Sequence, residues 1–509
     1  MLSKIHSAAT IGIEGKPIEI EIDITNGLPA IVIGGLPDAV IKESRDRVKT
    51  AIKNSSLHYP TQKITINLAP CDLKKEGPCF DLPIAIGILA SSEQIDRKNI
   101  EDFVFLGELS LNGKLRPIKG ALPIAMSLKN SSKKLILPKN NSHEVKVVKD
   151  MEIYAVDTLI DVCNIVNGIS SIAPLKDSPD QPVEKNKPYD IDFSDVKGQY
   201  YAKRALEIAA SGNHNIILLG PPGSGKTMLA KRLPTILPDM TIEEIIDTSK
   251  IYSVSHLSSN RSRLITSRPF RSPHHTASHV SIVGGGSTPR PGEISLAQNG
   301  VLFMDELPEF NRNVLEALRQ PLEDCSINIS RMNDSIEFPA RIMLVGAMNP
   351  CPCGGFGESR SICRCTPNQI HKYRSKISGP LLDRIDIHIE VPSLKYKDLS
   401  NEKSGEPSRD IRERVEKTRK IQLDRFKDEN ISLNSEMDYK LIRKYCRLDE
   451  ISKDLLKTAI TELGFSARCY DKILKVSRTI ADLDAKEDIE SVHISEAIQY
   501  RSLDRNIWI

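Results

Sequence analysis

No stretch of the chain approaches the roughly 18 uninterrupted apolar residues of a membrane-spanning helix. The N-terminal Met1-Leu2-Ser3-Lys4-Ile5-His6 is not followed by the apolar core of a secretory signal. Neither a helical membrane protein nor an exported one is expected, and a cytoplasmic location follows. Net charge is almost absent as well, with 70 Lys and Arg against 67 Asp and Glu and a formal charge of +3. Such a balance neither demands nor excludes a nucleic-acid partner, so any basic track must be local. No internal repeat or low-complexity tract is evident. The ten cysteines do not suit a disulfide scaffold in a reducing compartment, and four of them crowd one short loop. What is present is an ordinary globular composition, 39% hydrophobic and 27% charged. At 509 residues the chain is too long for one core, and about three domains are expected at roughly 150 residues each.

The most informative segment is an apolar run, Ile216-Ile217-Leu218-Leu219, leading into Gly220-Pro221-Pro222-Gly223-Ser224-Gly225-Lys226-Thr227 and a helix-forming Met-Leu-Ala-Lys. This is a phosphate-binding loop for ATP. Its glycines let successive N–H groups turn toward the phosphates, Lys226 reaches the β and γ oxygens, and the Thr227 hydroxyl ligates Mg²⁺. A second buried-type strand, Val301-Leu302-Phe303-Met304, ends in Asp305 and Glu306. In isolation it reads as a core strand with an acidic turn. After a phosphate loop, Asp305 reads as a holder of Mg²⁺ and Glu306 as the group that polarises the attacking water.

A third strand, 342–348, ends at Asn349, whose amide is placed to sense the γ-phosphate and orient that water. Farther on, Gly379-Pro380-Leu381-Leu382-Asp383-Arg384-Ile385-Asp386 precedes an alternating strand, 387–391. Arg384 is the candidate arginine finger, delivered from a neighbouring subunit to stabilise transition-state charge, which makes a ring the active species. The competing reading is a surface arginine paired with Asp383 or Asp386, and Arg374 is a weaker substitute for the finger.

The crowded cysteines are Cys351, Cys353, Cys363 and Cys365, two Cys-x-Cys pairs around a Gly-containing turn. Four thiolates brought together there make a tetrahedral site for structural zinc, ordering a loop too poor in apolar residues to order itself. An iron–sulfur cluster is the other occupant such a set can take, and four reduced thiols the bland one.

Between Lys226 and Asp305 the chain has far more than the roughly 30 residues of a strand-helix crossover. The surplus carries Arg261, Arg263, Arg268, Arg271, His274, His275 and Arg290, with turns at Gly284-Gly285-Gly286 and Pro289-Arg290-Pro291-Gly292. Such side chains suit DNA phosphate contacts; the alternative is a solvated loop or one stapling one subunit to the next. Stacking residues are sparse there, Phe270 being the clearest.

These motifs, with AMNPCPCGGFG at 347–357, SGPLLDRIDIHIEVP at 378–392 and Gly464-Phe465-Ser466-Ala467-Arg468, resemble the magnesium-chelatase-like AAA+ ATPases of the YifB/ComM family over essentially the whole chain. The resemblance implies that Arg468 contacts the γ-phosphate from a lid helix and that the basic surplus is a hairpin facing a ring's pore. The implied fold is multidomain α/β: an N-terminal Lon-protease-like, ribosomal-protein-S5-like α+β domain, a central P-loop AAA+ parallel-sheet domain and a C-terminal helical lid. Expected boundaries are 1–168 for the first, a linker at 169–190, 191–395 for the ATPase, a linker at 396–408 and 409–509 for the lid.

Alternation of Ile18, Ile20, Ile22 and Ile24 with acids, and of Ile64, Ile66 and Leu68, predicts half-buried strands, with helices over 38–54 and 81–91. Where proteolytic relatives carry a nucleophilic serine, Glu76-Gly77-Pro78-Cys79-Phe80-Asp81 offers Cys79, but the position matching their lysine is Leu122. A non-catalytic domain is expected. The charged run of Arg412, Arg414, Lys417, Arg419, Lys420 and Arg425 reads as a solvated helix face. The reading that results is an ATP- and Mg²⁺-dependent ring, a hexamer, moving on single-stranded or branched DNA. The resemblance implies a branch-migration helicase of recombination or transformation, with recombination proteins as candidate partners. A chelatase-type motor remodelling a protein partner is the alternative.

Overall fold

The computed structural model describes residues 2–71, 75, 77–175, 189–255, 264–286, 288–330, 335–357, 362–393 and 405–501. Glu76, Arg261, Arg263 and most of both expected linkers lie outside them. The chain divides into two compact units, Met1–Lys185 with Ile242–Thr266, and Asn186–Thr241 with Ser267–Ile509.

The first unit is built on a seven-stranded mixed sheet, in the order Ala30–Gly34, Lys63–Ala69, Glu14–Thr25, Leu2–Ile11, Phe103–Phe105, Lys134–Pro138, Ile153–Val156. Ile18, Ile20, Ile22, Ile64, Ile66 and Leu68 all turn inward and are buried, as strand alternation demands. Helices Ala39–Asn54 and Asp81–Ser91 pack against them. The second is buried at every position, and Gly87 is required there because a Cβ would come within 2.4 Å of the Ile22 side chain.

One element of this unit arrives from far along the chain. Helix Ile242–Val254, part of the surplus that sequence reading gave wholly to the ATPase, packs on helix Ala121–Leu128. It buries Ile245, Thr248, Ser249 and Ile251. The Gly120 N–H donates to the Ser253 carbonyl at 3.1 Å. The Ser253 hydroxyl donates to Glu144 at 2.8 Å.

Glu144 is itself buried, and burial pushes its carboxyl up to about 7 despite hydrogen bonds from Asn141 and Ser253. The unfolded carboxyl loses its proton near 4.5 while the folded one keeps it to about 7. Stability of this unit therefore falls as pH rises through that window and levels off above it, by at most about 3 kcal/mol. Thermal unfolding of the wild-type chain should show a midpoint that drops between pH 5 and pH 7.5, and Glu144→Gln should flatten the slope. An equal slope in both proteins would contradict this.

The second unit contains a five-stranded, wholly parallel sheet in the order Phe270–Arg271, Val301–Met304, Met343–Met348, Ile216–Leu219, Ile387–Glu390. Its central strands are buried on both faces, which explains their unbroken apolar runs. Among the described residues the α-helices Ser408–Arg425, Tyr439–Tyr445, Glu450–Leu463, Ala467–Leu483 and Ser491–Gln499 follow. Ile411, Val415, Ile473, Ile480 and Tyr500 share one apolar cluster with Ile216 and Ile389 of the sheet. Sheet and C-terminal helices are thus one body.

Lys417 and Lys420 are exposed as expected, but Arg412, Arg414, Arg419 and Arg425 are tied to the rest of the fold. Arg414 pairs with Glu207 at 2.5 Å, Arg412 with Asp239 at 2.7 Å, and Arg425 donates to Asp482 at 2.7 Å. Buried Arg419 donates twice to the Ala210 carbonyl. Arg412 and Arg414 also have local partners in Glu416 and Glu406, but these distant ones lie more than 50 residues away in sequence for Arg425 and more than 170 for the others, so no local pattern reveals them. Among the described residues no helix is long and apolar enough to cross a membrane.

Candidate nucleotide and metal sites

The carboxyl ends of the parallel strands gather the chemistry, as they do in open α/β sheets generally. Strand Ile216–Leu219 turns through Gly223 and Gly225, at φ +77° and +94°, into helix Lys226–Ile236. Only glycine adopts these angles freely, and a Cβ on either would project into open space above the loop. Gly220 is required for a different reason: a Cβ there would strike the Val391 carbonyl at 2.2 Å.

The Lys226 ammonium donates to the carbonyls of Gly220 at 2.6 Å and Pro221 at 2.9 Å, and to Asn349 Oδ1 at 3.2 Å. Burial lowers its pKa, with Asp305 opposing. The Thr227 hydroxyl donates to Asp305 Oδ2 at 2.7 Å. Ser224 Oγ is buried in the same loop with no hydrogen-bond partner among the described residues, and Gln199 donates to the Ser224 carbonyl at 3.2 Å. A lysine, a helix N-terminus, an unpartnered buried hydroxyl and a Thr–Asp pair, beneath a space that two glycines keep open, are a donor set that fits Mg²⁺-ATP.

Glu306 follows Asp305 at φ +53°, a conformation that costs a residue with a side chain about 1 kcal/mol or more and persists only where the surroundings impose it. Its N–H donates to Asp305 Oδ1 at 3.0 Å, and its Oε2 lies 3.2 Å from His275 Nδ1. Sequence reasoning gave His275 to a DNA contact and missed this pairing.

Arg384 stands apart from these groups. Its guanidinium is mostly buried, forks onto Glu323 and donates to the Pro380 carbonyl at 2.7 Å. Arg384 first, and exposed Arg468 more weakly, hold the Glu323 carboxyl below its ordinary range. The competing reading named Asp383 or Asp386 as its partner; the partner is instead Glu323, a residue with no sequence signal of its own. Asp386 instead meets Lys472 at 2.5 Å and accepts the Asn215 N–H at 2.9 Å. Burial opposes its ionisation, but Lys472 and His214 outweigh that and hold it far below the usual carboxylate range. Arg374 donates to the Pro350 carbonyl at 3.0 Å and lies 5.1 Å over the Phe356 ring.

The four cysteine sulfurs lie within 4.8 Å of one another. Cys351 is 3.4 Å from Cys353 and 3.8 Å from Cys363, and Cys353 is 3.8 Å from Cys363. A tetrahedral zinc with bonds of about 2.3 Å sets its sulfurs about 3.8 Å apart, so the cluster fits the ion. The loop bears on the nucleotide site, since a Cβ at Gly354 would fall 2.4 Å from the Pro222 ring.

The basic insertion divides in two. Arg268 is committed to the carbonyls of Pro238 at 2.6 Å and Asn299 at 2.7 Å, and Arg271 forks onto Glu293 at 2.6 and 2.7 Å. Arg290 is exposed on the small hairpin of Gly284–Gly285 with Arg290–Pro291, and exposed His274 stacks on His275. In the first unit, burial pushes the Cys79 thiol up to about 12, and Leu122 is part of the core.

Three family models match the chain, described as magnesium chelatase, subunit ChlI, over residues 192–399; subunit ChlI of Mg-chelatase over 20–141; and magnesium chelatase, subunit ChlI C-terminal, over 405–501. Competence protein ComM of Haemophilus influenzae is 46% identical over 99% of this chain and 98% of its own length. The uncharacterised protein YifB of Escherichia coli is 44% identical over 99% of this chain and 98% of its own. Lon protease 2 of Bacillus subtilis is 31% identical over 166 residues, 29% of this chain and 30% of that protein. With family models covering each region and relatives matched along the full length, the chain belongs to the magnesium-chelatase-like ComM/YifB family of AAA+ ATPases.

Proposed function

We propose that the chain hydrolyses Mg²⁺-ATP as a ring, a hexamer, and uses the cycle to move on branched or single-stranded DNA as a branch-migration helicase of recombination or DNA uptake. The observation that carries the hydrolysis is the direct joining of phosphate loop and sensor, Lys226 to Asn349 and Thr227 to Asp305. Thr227 and Asp305 hold the magnesium, which supplies neutralising charge on the phosphates. Lys226 and the loop's N–H groups grip the phosphates, Asn349 reads the last of them, and Glu306 takes the proton from the attacking water. Arg384 serves the neighbouring subunit's site, and Arg468 contacts the nucleotide from the lid.

The name of the Haemophilus relative, competence protein, supports the DNA half of the reading. So does the hairpin: with Arg268 and Arg271 committed to its base, Arg290 and His274 are the DNA contacts. A four-way junction incubated with the protein and ATP should resolve into its duplex products, and not with a non-hydrolysable analogue. Arg290→Ala should bind single-stranded DNA more weakly and reduce the salt dependence by about one phosphate contact. Unchanged binding would remove Arg290 from the interface.

The domains of this reading are 1–168, a Lon-protease-like fold without protease chemistry, which takes in helix Ile242–Val254 from the insertion; 191–395, otherwise the ATPase; and 409–509, the lid. The four cysteines hold structural zinc, which keeps Gly354 seated against Pro222. Purified protein should carry about one zinc per chain and no visible absorption of an iron–sulfur cluster. Cys351→Ser with Cys353→Ser should lose the zinc and lower ATP affinity. Zinc content equal to wild type in that variant would sink the assignment.

A further inference from the structure

The structure assigns Lys472, of helix Ala467–Leu483, as a positioning residue for Arg384: it grips the buried carboxylate two residues beyond that arginine and ties the segment carrying it to the C-terminal helices. This rests on the reading of Arg384 as the finger that completes the neighbouring subunit's ATP site.

The segment that carries Arg384 needs support from outside. It runs from Gly379–Leu382, a single helical turn, into strand Ile387–Glu390 at the edge of the parallel sheet. One turn of helix has little stability of its own. On the sheet side Asn215 holds the segment. Its N–H donates to the Asp386 carboxylate at 2.9 Å, and its carbonyl accepts the N–H groups of Asp386 and Ile387, each at 3.0 Å. The C-terminal helices supply the remaining contacts. The Lys472 ammonium lies 2.5 Å from Asp386 Oδ1. Buried Arg501, just past helix Ser491–Gln499, donates to the Ile385 carbonyl, and the His388 N–H donates to the Tyr500 carbonyl at 2.7 Å.

Of these contacts Lys472–Asp386 alone joins two full charges. His214 Nδ1 is 3.6 Å from Asp386 Oδ2, but burial drives that imidazole toward its neutral form. Lys472 is thus the cation in contact with a carboxylate that is 1% exposed. A buried carboxylate without its counter-ion is strongly disfavoured, and turning Asp386 toward water relieves the cost. Arg384 shifts with it. A displacement of about 1 Å at a group that must meet developing charge costs up to about 100-fold in rate.

The same ion pair spaces two arginines. Arg468 lies four residues before Lys472 on the helix, so the two share a face. Arg384 and Arg468 both act on the Glu323 carboxyl. Among the described residues Lys472 makes no ion pair or hydrogen bond with Lys226, Thr227, Asp305 or Asn349, so its loss spares nucleotide binding in its own subunit.

The test compares full-length wild type, Lys472→Met, Lys472→Arg and Arg384→Ala by steady-state ATPase, binding of a fluorescent ATP analogue and thermal unfolding. Lys472→Met keeps the aliphatic stem and should lower kcat about tenfold or more while binding the analogue within about twofold of wild type. Lys472→Arg, which retains the charge, should recover part of the loss. Mixed with Glu306→Gln, which supplies an undisturbed Arg384, Lys472→Met should regain activity as Arg384→Ala does. If Lys472→Met does not fold, Lys472→Met with Asp386→Asn takes its place, since that pair leaves no buried charge unpaired, and the same loss is expected of it. A wild-type kcat in the folded variant, or loss of analogue binding, would overturn the proposal. So would failure of Lys472→Met to recover on mixing where Arg384→Ala does recover. If Arg384→Ala itself hydrolyses ATP at the wild-type rate, there is no finger to position and both readings fall. If Arg384→Ala loses activity but does not recover on mixing, the trans reading alone has failed. The positioning is then judged on kcat against binding: a loss of kcat with binding kept supports it, and any other pattern removes it.

Discussion

Glu306→Gln is expected to bind ATP as wild type does and to hydrolyse it about 100- to 1,000-fold more slowly. The side chain extends from the end of a buried strand, next to Asp305, whose carboxylate accepts the Thr227 hydroxyl at 2.7 Å. Glutamine has the same size and can still accept a hydrogen bond from His275, so the substitution removes basicity and leaves the packing. Lys226→Ala should behave differently. That ammonium ties the loop carbonyls of Gly220 and Pro221 to Asn349, and its loss removes nucleotide binding itself. A filter-binding or fluorescent-nucleotide titration beside a phosphate-release assay separates the two. Rapid hydrolysis by Glu306→Gln would mean that another group handles the water.

Arg384→Ala is expected to lose about 1,000-fold or more in ATPase while staying folded. Arg384 sits on a rigid platform, because Asp386, two residues on, is anchored to Lys472 and to the Asn215 N–H. Within its own subunit the guanidinium is held by Glu323, so reaching a neighbour's phosphate means exchanging one carboxylate for a more strongly charged acceptor. Glu323 is about half exposed and remains hydrated after the change, so the stability cost is about 1 kcal/mol and thermal unfolding should move little. The trans assignment has its own signature. Mixed with Glu306→Gln, which retains the arginine but not the base, Arg384→Ala should regain part of the lost activity in shared rings. No recovery on mixing would place the arginine's work in its own subunit.

The parts of the ATP site that were legible in the sequence are those written in short-range chemistry. The apolar strand before Gly220, the glycine spacing and the Asp305-Glu306 pair all sit within a few residues of the features that identify them. The alternating isoleucines of the first sheet were legible for the same reason, since strand faces repeat every two residues. What escaped depends on partners brought together only by the fold. Glu323 carries no motif, yet it takes Arg384 across 61 residues. The arginines of Ser408–Arg425 look solvent-facing until Glu207, Asp239 and Asp482 are folded against them. His275 was read as a basic residue on a loop because its relation to Glu306 exists only through the parallel register of two strands. Helix Ile242–Val254 escaped because nothing in its composition says which of the two units it will join.

The measurement that reaches the centre of this account is steady-state ATP hydrolysis by the purified chain alone and with single-stranded, duplex and four-way-junction DNA, with Glu306→Gln as the blank. The account predicts a basal rate that rises with DNA, most with the junction, and no rise in the blank. A robust basal rate that no DNA changes would contradict it and turn the search to a protein partner.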